Sequence, residues 1–80
     1  MTEDQVLAKV RDVVVEKLDV DPSKVVMSAS FRKDLGADSL DAYEIVYGIE
    51  EELGVTIPDD MANEFDTVGD AVKFLTEKLN

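Results

Sequence analysis

Apolar residues recur in this chain at the spacing of an α-helix, and nowhere do they alternate with polar ones for long enough to make a strand. Val6, Leu7, Val10, Val14 and Leu18 form the first series, and Thr2 with Gln5 three residues on is a capping-box pattern ahead of it. The spacing predicts a first helix from about Glu3 to about Leu18. A second is expected from Asp38 or Ser39 to near Leu53, with Gly54 suited to the left-handed residue that closes a helix. Ile57-Pro58-Asp59-Asp60 reads as a stop and a new start, predicting a brief helix around Asp60 to Glu64. Thr67, with Asp70 at the capping-box position, opens a last helix whose stripe is Val68, Ala71, Val72, Leu75 and Leu79. The expected fold class is therefore all-α, a small four-helix bundle with three longer helices, one short helix and a long first loop. It should form a single domain over residues 1–80 with no internal repeat.

The first loop, Asp19 to Asp38, is the segment that this pattern leaves unexplained. Asp21-Pro22, Ser28, Ser30 and Gly36 supply turn chemistry, and a connection of this length needs apolar anchors to stay on a compact body. Val25, Val26, Phe31 and Leu35 are the candidates.

Composition excludes more than it selects. Nineteen Asp and Glu against eight Lys and Arg give a formal net charge of −11, which repels nucleic-acid backbones and anionic lipid surfaces and favours basic partners. The chain has neither Cys nor His, so it lacks the residues that supply most thiol nucleophiles, neutral-pH bases and transition-metal ligands. No EF-hand explains the acids either: counted from Asp19, the sixth position is Lys24 and the twelfth is Ser30, where glycine and glutamate are required. Self-contained catalysis is not expected, and no metal site is. Charged and polar residues directly after Met1, and the lack of an apolar run long enough to span a bilayer, lead to the expectation of a soluble, cytoplasmic chain; a monomer is expected as well.

The second helix has two apolar faces. Ile45, Val46, Ile49 and Leu53 fall within one arc of roughly 100°, an ordinary core stripe. Leu40, Tyr43 and Tyr47 cluster about 140° away from its centre, framed by Glu44, Glu50 and Glu51. Either the long loop covers this second stripe, or it is an exposed apolar patch with an acidic rim of Asp38, Asp41, Glu44, Glu50 and Glu51, suited to a basic protein surface. Spacing alone leaves both readings open. Gly48, in the middle of this helix, should cost up to about 1 kcal/mol relative to alanine, so Gly48→Ala is expected to stabilise.

A serine at a helix start most often caps exposed backbone N–H groups and does nothing more. Ser39, however, lies in Asp34-Leu35-Gly36-Ala37-Asp38-Ser39-Leu40-Asp41, a glycine-hinged turn leading into the acidic helix. With this signature, Phe31 in a long loop, Glu50-Glu51, Ile57-Pro58-Asp59 and Thr67-Val68, the sequence resembles the acyl carrier protein family of the free-standing bacterial fatty-acid type over nearly its whole length.

The resemblance implies that Ser39 carries 4′-phosphopantetheine, transferred from coenzyme A by a phosphopantetheinyl transferase (holo-carrier synthase), and that the arm's thiol bears acyl groups as thioesters. That thiol is the group the chain itself does not encode. By the same resemblance, Asp38, Leu40, Asp41, Tyr43, Glu44, Tyr47, Glu50 and Glu51 would contact fatty acid synthesis enzymes through basic docking patches. Ile45, Val46, Ile49, Ile57, Phe65, Ala71 and Leu75 would shelter the acyl chain, although each is equally well explained as plain core. Tyr43 and Tyr47 depart from the valine and methionine common at these positions, which keeps open a specialised acyl, polyketide or aminoacyl carrier of a dedicated pathway. A different class, an acidic interaction module in which Ser39 is only a cap, is the remaining alternative.

Overall fold

A computed structural model describes residues 1–79 of the chain. Helix α1 spans Glu3–Leu18 and starts as its sequence dictates: the Thr2 hydroxyl accepts the Gln5 N–H at 3.2 Å, and the Thr2 N–H donates to Gln5 Oε1 at 2.9 Å. Helix α2 spans Ser39–Leu53 and ends at Gly54, which adopts the left-handed conformation (φ 66°). Helix α3 covers Asp59–Glu64, one residue longer at its start than expected, and α4 covers Val68–Leu79. Among the described residues the only β-type pairing is an isolated bridge between Ser30 and Thr67. The expected all-α bundle of three longer helices and a short one is the fold that forms.

The two long seams run from α1 to α2 and from α1 to α4, while α3 rests on α2. Val6, Val10 and Val14 of α1 meet Ile45 and Ile49 of α2 and Val68, Val72 and Leu75 of α4 in one buried cluster. Each fully buried Val, Leu or Ile contributes about 1.5–3 kcal/mol relative to an exposed one, so this cluster is the main stabilising element of an otherwise polar chain. Gly48 lies on the α1–α2 seam. A Cβ there would stand 2.7 Å from Val13 Cγ1, so the helices approach each other closely because this position has no side chain. This close approach opposes the stabilisation expected from Gly48→Ala on propensity alone.

The long loop is anchored as its composition demands, with one exchange. Val25, Phe31 and Leu35 are buried, and Ala29 and Ala37 join them. Val26, expected among the anchors, is instead 43% exposed. The Arg11 guanidinium holds the Val25 carbonyl through Nε (3.2 Å) and Nη2 (3.1 Å), fixing Val25 inward, and the next side chain on non-helical backbone turns outward. Beyond a short 3-10 turn at Pro22–Lys24, the loop is stitched to the start of α4. The Gly69 N–H donates to the Met27 carbonyl (2.8 Å), the Val68 N–H to Ala29 (2.9 Å) and the Phe31 N–H to Asp66 (3.1 Å). The loop thus satisfies N–H groups that a helix start leaves without partners. Its backbone bonds lead to α4, and the second apolar stripe of α2 stays uncovered.

Candidate functional site

Ser39 stands at the first position of α2, and the capping work is done by its neighbour. Asp38 is the N-cap: its Oδ1 accepts the Asp41 N–H at 2.9 Å, and Asp41 Oδ2 reaches back to the Asp38 N–H at 3.1 Å. The Ser39 hydroxyl therefore has no structural duty, and it makes no hydrogen bond among the described residues. Its side chain is exposed. The reading of Ser39 as a mere cap fails here, and the signal that assigns the cap to Asp38 was present in the sequence as a carboxylate pair three residues apart.

The segment before Ser39 is held to a defined path. The Ser30 N–H donates to Asp34 Oδ2 at 2.7 Å, the Ser30 carbonyl accepts the Asp34 and Leu35 N–H groups, and the Ala37 N–H donates to the Phe31 carbonyl at 2.8 Å. With Leu35 and Ala37 buried on either side of Gly36, the serine is presented at a fixed place on the surface.

Beside Ser39 opens a cavity of 380 Å³ between α2, α3 and the loop. Its exposed end is lined by Ser39, Arg32 and Tyr43, and its buried end by Ile45, Ile49 and Ala71. Val46 and Phe65 form part of the wall, with Ala62 of α3, and Phe65 packs on Phe74 at a ring-centroid distance of 5.6 Å. Five of the expected acyl-pocket residues, Ile45, Val46, Ile49, Phe65 and Ala71, thus line one cavity. Ile57 and Leu75 are buried core residues that do not reach it. Arg32, Ala37 and Ala62 line it too, and nothing in helical periodicity singles them out.

On the outer face of α2, Leu40 is 74% exposed, Tyr47 69% and Tyr43 46%. Asp38, Glu44 and Glu51 are exposed around them and Asp41 is partly so, which leaves the apolar patch with its acidic rim on the surface. Glu50 is placed differently from the rest of that rim. Its Oε2 accepts the Ile57 N–H at 2.8 Å, so this carboxylate is committed to holding the α2–α3 connection.

Among the described residues no group of three or more acidic side chains converges as a metal site, and no helix is long and apolar enough to cross a membrane. An exposed, unbonded hydroxyl at the mouth of a partly apolar cavity fits attachment of a flexible arm whose cargo can fold back into the protein.

Comparison with known proteins agrees with this geometry. The family described as "Phosphopantetheine attachment site" matches residues 8–75. The chain is 59% identical over 73 residues to the acyl carrier protein of Caulobacter vibrioides (strain NA1000 / CB15N), covering 91% of this chain and 94% of that one. It is 58% identical over 74 residues to that of Phenylobacterium zucineum (strain HLK1), covering 92% and 94%. It is 54% identical over 76 residues to that of Treponema pallidum (strain Nichols), covering 95% and 97%. The chain belongs to the acyl carrier proteins, a family of carriers rather than enzymes, with 4′-phosphopantetheine as its prosthetic group.

Proposed function

We propose that the arm is attached to Ser39 Oγ and that the chain carries acyl groups as thioesters among enzymes of fatty acid biosynthesis. The observation that carries this reading is the free Ser39 hydroxyl, released from capping by Asp38 and standing at the mouth of the cavity. When attached, the group supplies a thiol that the chain lacks. Ser39 then serves as the anchor, and Ile45, Val46, Ile49, Phe65 and Ala71 receive the apolar part of the cargo and exclude water from it. Leu40, Tyr43 and Tyr47 form the contact surface for partner enzymes, with Asp38, Asp41, Glu44 and Glu51 steering basic surfaces towards it.

A second reading, a carrier dedicated to another pathway, is favoured by one observation. The two phenols are both exposed on the docking face, where they alter its shape and its hydrogen-bonding groups. Loading the modified protein with different acyl donors and measuring turnover by partner synthases separates the two readings.

Treatment with a phosphopantetheinyl transferase and coenzyme A is expected to add the arm's mass to the wild type and nothing to Ser39→Ala. The variant should keep its melting temperature within about 2 °C, because the hydroxyl makes no bond that stabilises the fold. The same mass gain on the variant would refute the assignment of Ser39.

A further inference from the structure

In a chain with nineteen acidic and eight basic side chains, a cation near Ser39 stands out. Arg32 and Lys33 are both exposed and belong to no ion pair among the described residues, where the single salt bridge joins Lys9 and Glu52. The adjacent acid, Asp34, points its carboxylate at the Ser30 N–H. Only Arg32 of the two lines the cavity together with Ser39. The bond from the Ala37 N–H to the Phe31 carbonyl, 2.8 Å, closes the loop so that Arg32 and the start of α2 are brought side by side.

The rest of the site acts on an anion in two opposing ways. A helix start ordinarily favours a phosphate through its free N–H groups and its dipole. Here the capping box takes the Asp38 and Asp41 N–H groups and leaves those of Ser39 and Leu40, but it brings the two carboxylates themselves within one turn of Ser39. A phosphodiester on Ser39 Oγ would be repelled by both, and a guanidinium is the group whose planar donors match its oxygens.

Resting on the reading of Ser39 given above, we propose that Arg32 is a positioning residue for the arm, pairing with the phosphodiester and directing the arm along the cavity mouth. Arg32 thereby offsets the repulsion of Asp38 and Asp41, and it biases the free carrier towards a state in which the cargo lies near its cavity. A partner that engages the phosphodiester or Arg32 releases the arm.

The test uses the full chain modified with coenzyme A and the transferase, followed by phosphorus NMR of the wild type, Arg32→Ala, Arg32→Lys and Lys33→Ala. In the wild type the phosphorus resonance should be displaced and broadened relative to a short peptide bearing the same modified serine, and the Arg32 Nε–Hε signal should shift between unmodified and modified protein. Arg32→Ala should return the phosphorus signal to the peptide position, Arg32→Lys should retain part of the displacement, and Lys33→Ala should retain all of it. Salt at about 0.5 M should reduce the wild-type displacement by screening. Identical phosphorus shift and line width in wild type and Arg32→Ala would overturn the role of Arg32 while leaving Ser39 in place. Failure of the wild type to gain the arm's mass would instead overturn the reading of Ser39, and this proposal with it. Arg32 is exposed and makes no side-chain bond among the described residues, so its variants are expected to fold, which an unchanged melting temperature checks.

Discussion

Single positions decide what α2 leaves exposed and how closely it packs. Asp38 takes over the capping that a helix-start serine normally performs, and the free Ser39 hydroxyl follows from that exchange. Gly48 decides how closely α2 can approach α1. Replacing it by alanine should gain up to about 1 kcal/mol of helix propensity, but crowding Val13 in a filled seam costs about 1–3 kcal/mol. Val13 is buried and branched at Cβ, with little rotameric freedom to yield. Gly48→Ala is therefore expected to lower the melting temperature, by about 4–8 °C for each kcal/mol lost. Adding Val13→Ala should make the pair less destabilised than the sum of the single changes. A higher melting temperature for Gly48→Ala alone would show that Val13 moves aside freely.

At the scale of elements, the start of α4 is the point where loop and bundle are joined. Gly69 lies under the Met27 carbonyl, where a Cβ would come within 2.8 Å of the oxygen, and so the loop can lie flat on the helix. The Asp70 carboxyl is held below the usual carboxylate range, first by the Thr67 N–H and then by the Asp66 N–H. Because its pKa is depressed in the native state, Asp70 contributes stability that is fully present above the unfolded value of about 4 and is lost as the pH falls through the lower native value. Asp70→Ala should thus be less stable than the wild type at pH 7, by about a few tenths of a kcal/mol because the group is exposed and screened. The difference should close below about pH 4, which urea midpoints measured from pH 3 to pH 7 would detect. An unchanged difference across that range would mean that the charge of Asp70 has no part in the cap.

The molecule as a whole carries a formal charge of −11 on eighty residues, with one exposed salt bridge among the described residues to offset it. Self-repulsion on this scale opposes the compact state, and added salt screens it. The melting temperature should rise smoothly by several °C between about 0.01 and 0.5 M NaCl. Magnesium should act without a saturable step, since the described carboxylates form no convergent metal site. A melting temperature independent of ionic strength would show that the acids are too well solvated to matter. The acids of the α2 rim are left outside while the apolar core is drawn inside.

Helix starts, helix ends and the core stripes were legible in the sequence because capping and 3.6-residue periodicity are local properties, readable within a turn or two. Thr2, Asp70, Gly54 and the Val6 to Leu75 core behave as their neighbours along the chain predict. The Ser39 signature was likewise contiguous. Tertiary structure decided everything that depends on which surfaces meet. It left Leu40, Tyr43 and Tyr47 in solvent because the loop's backbone bonds lead to α4. It turned Val26 outward, drew Glu50 onto the Ile57 N–H and made Gly48 a contact point, since each depends on a partner that lies far along the chain or across a turn. Arg32 reached the cavity by the same closure that presents Ser39, a juxtaposition that helical periodicity does not encode.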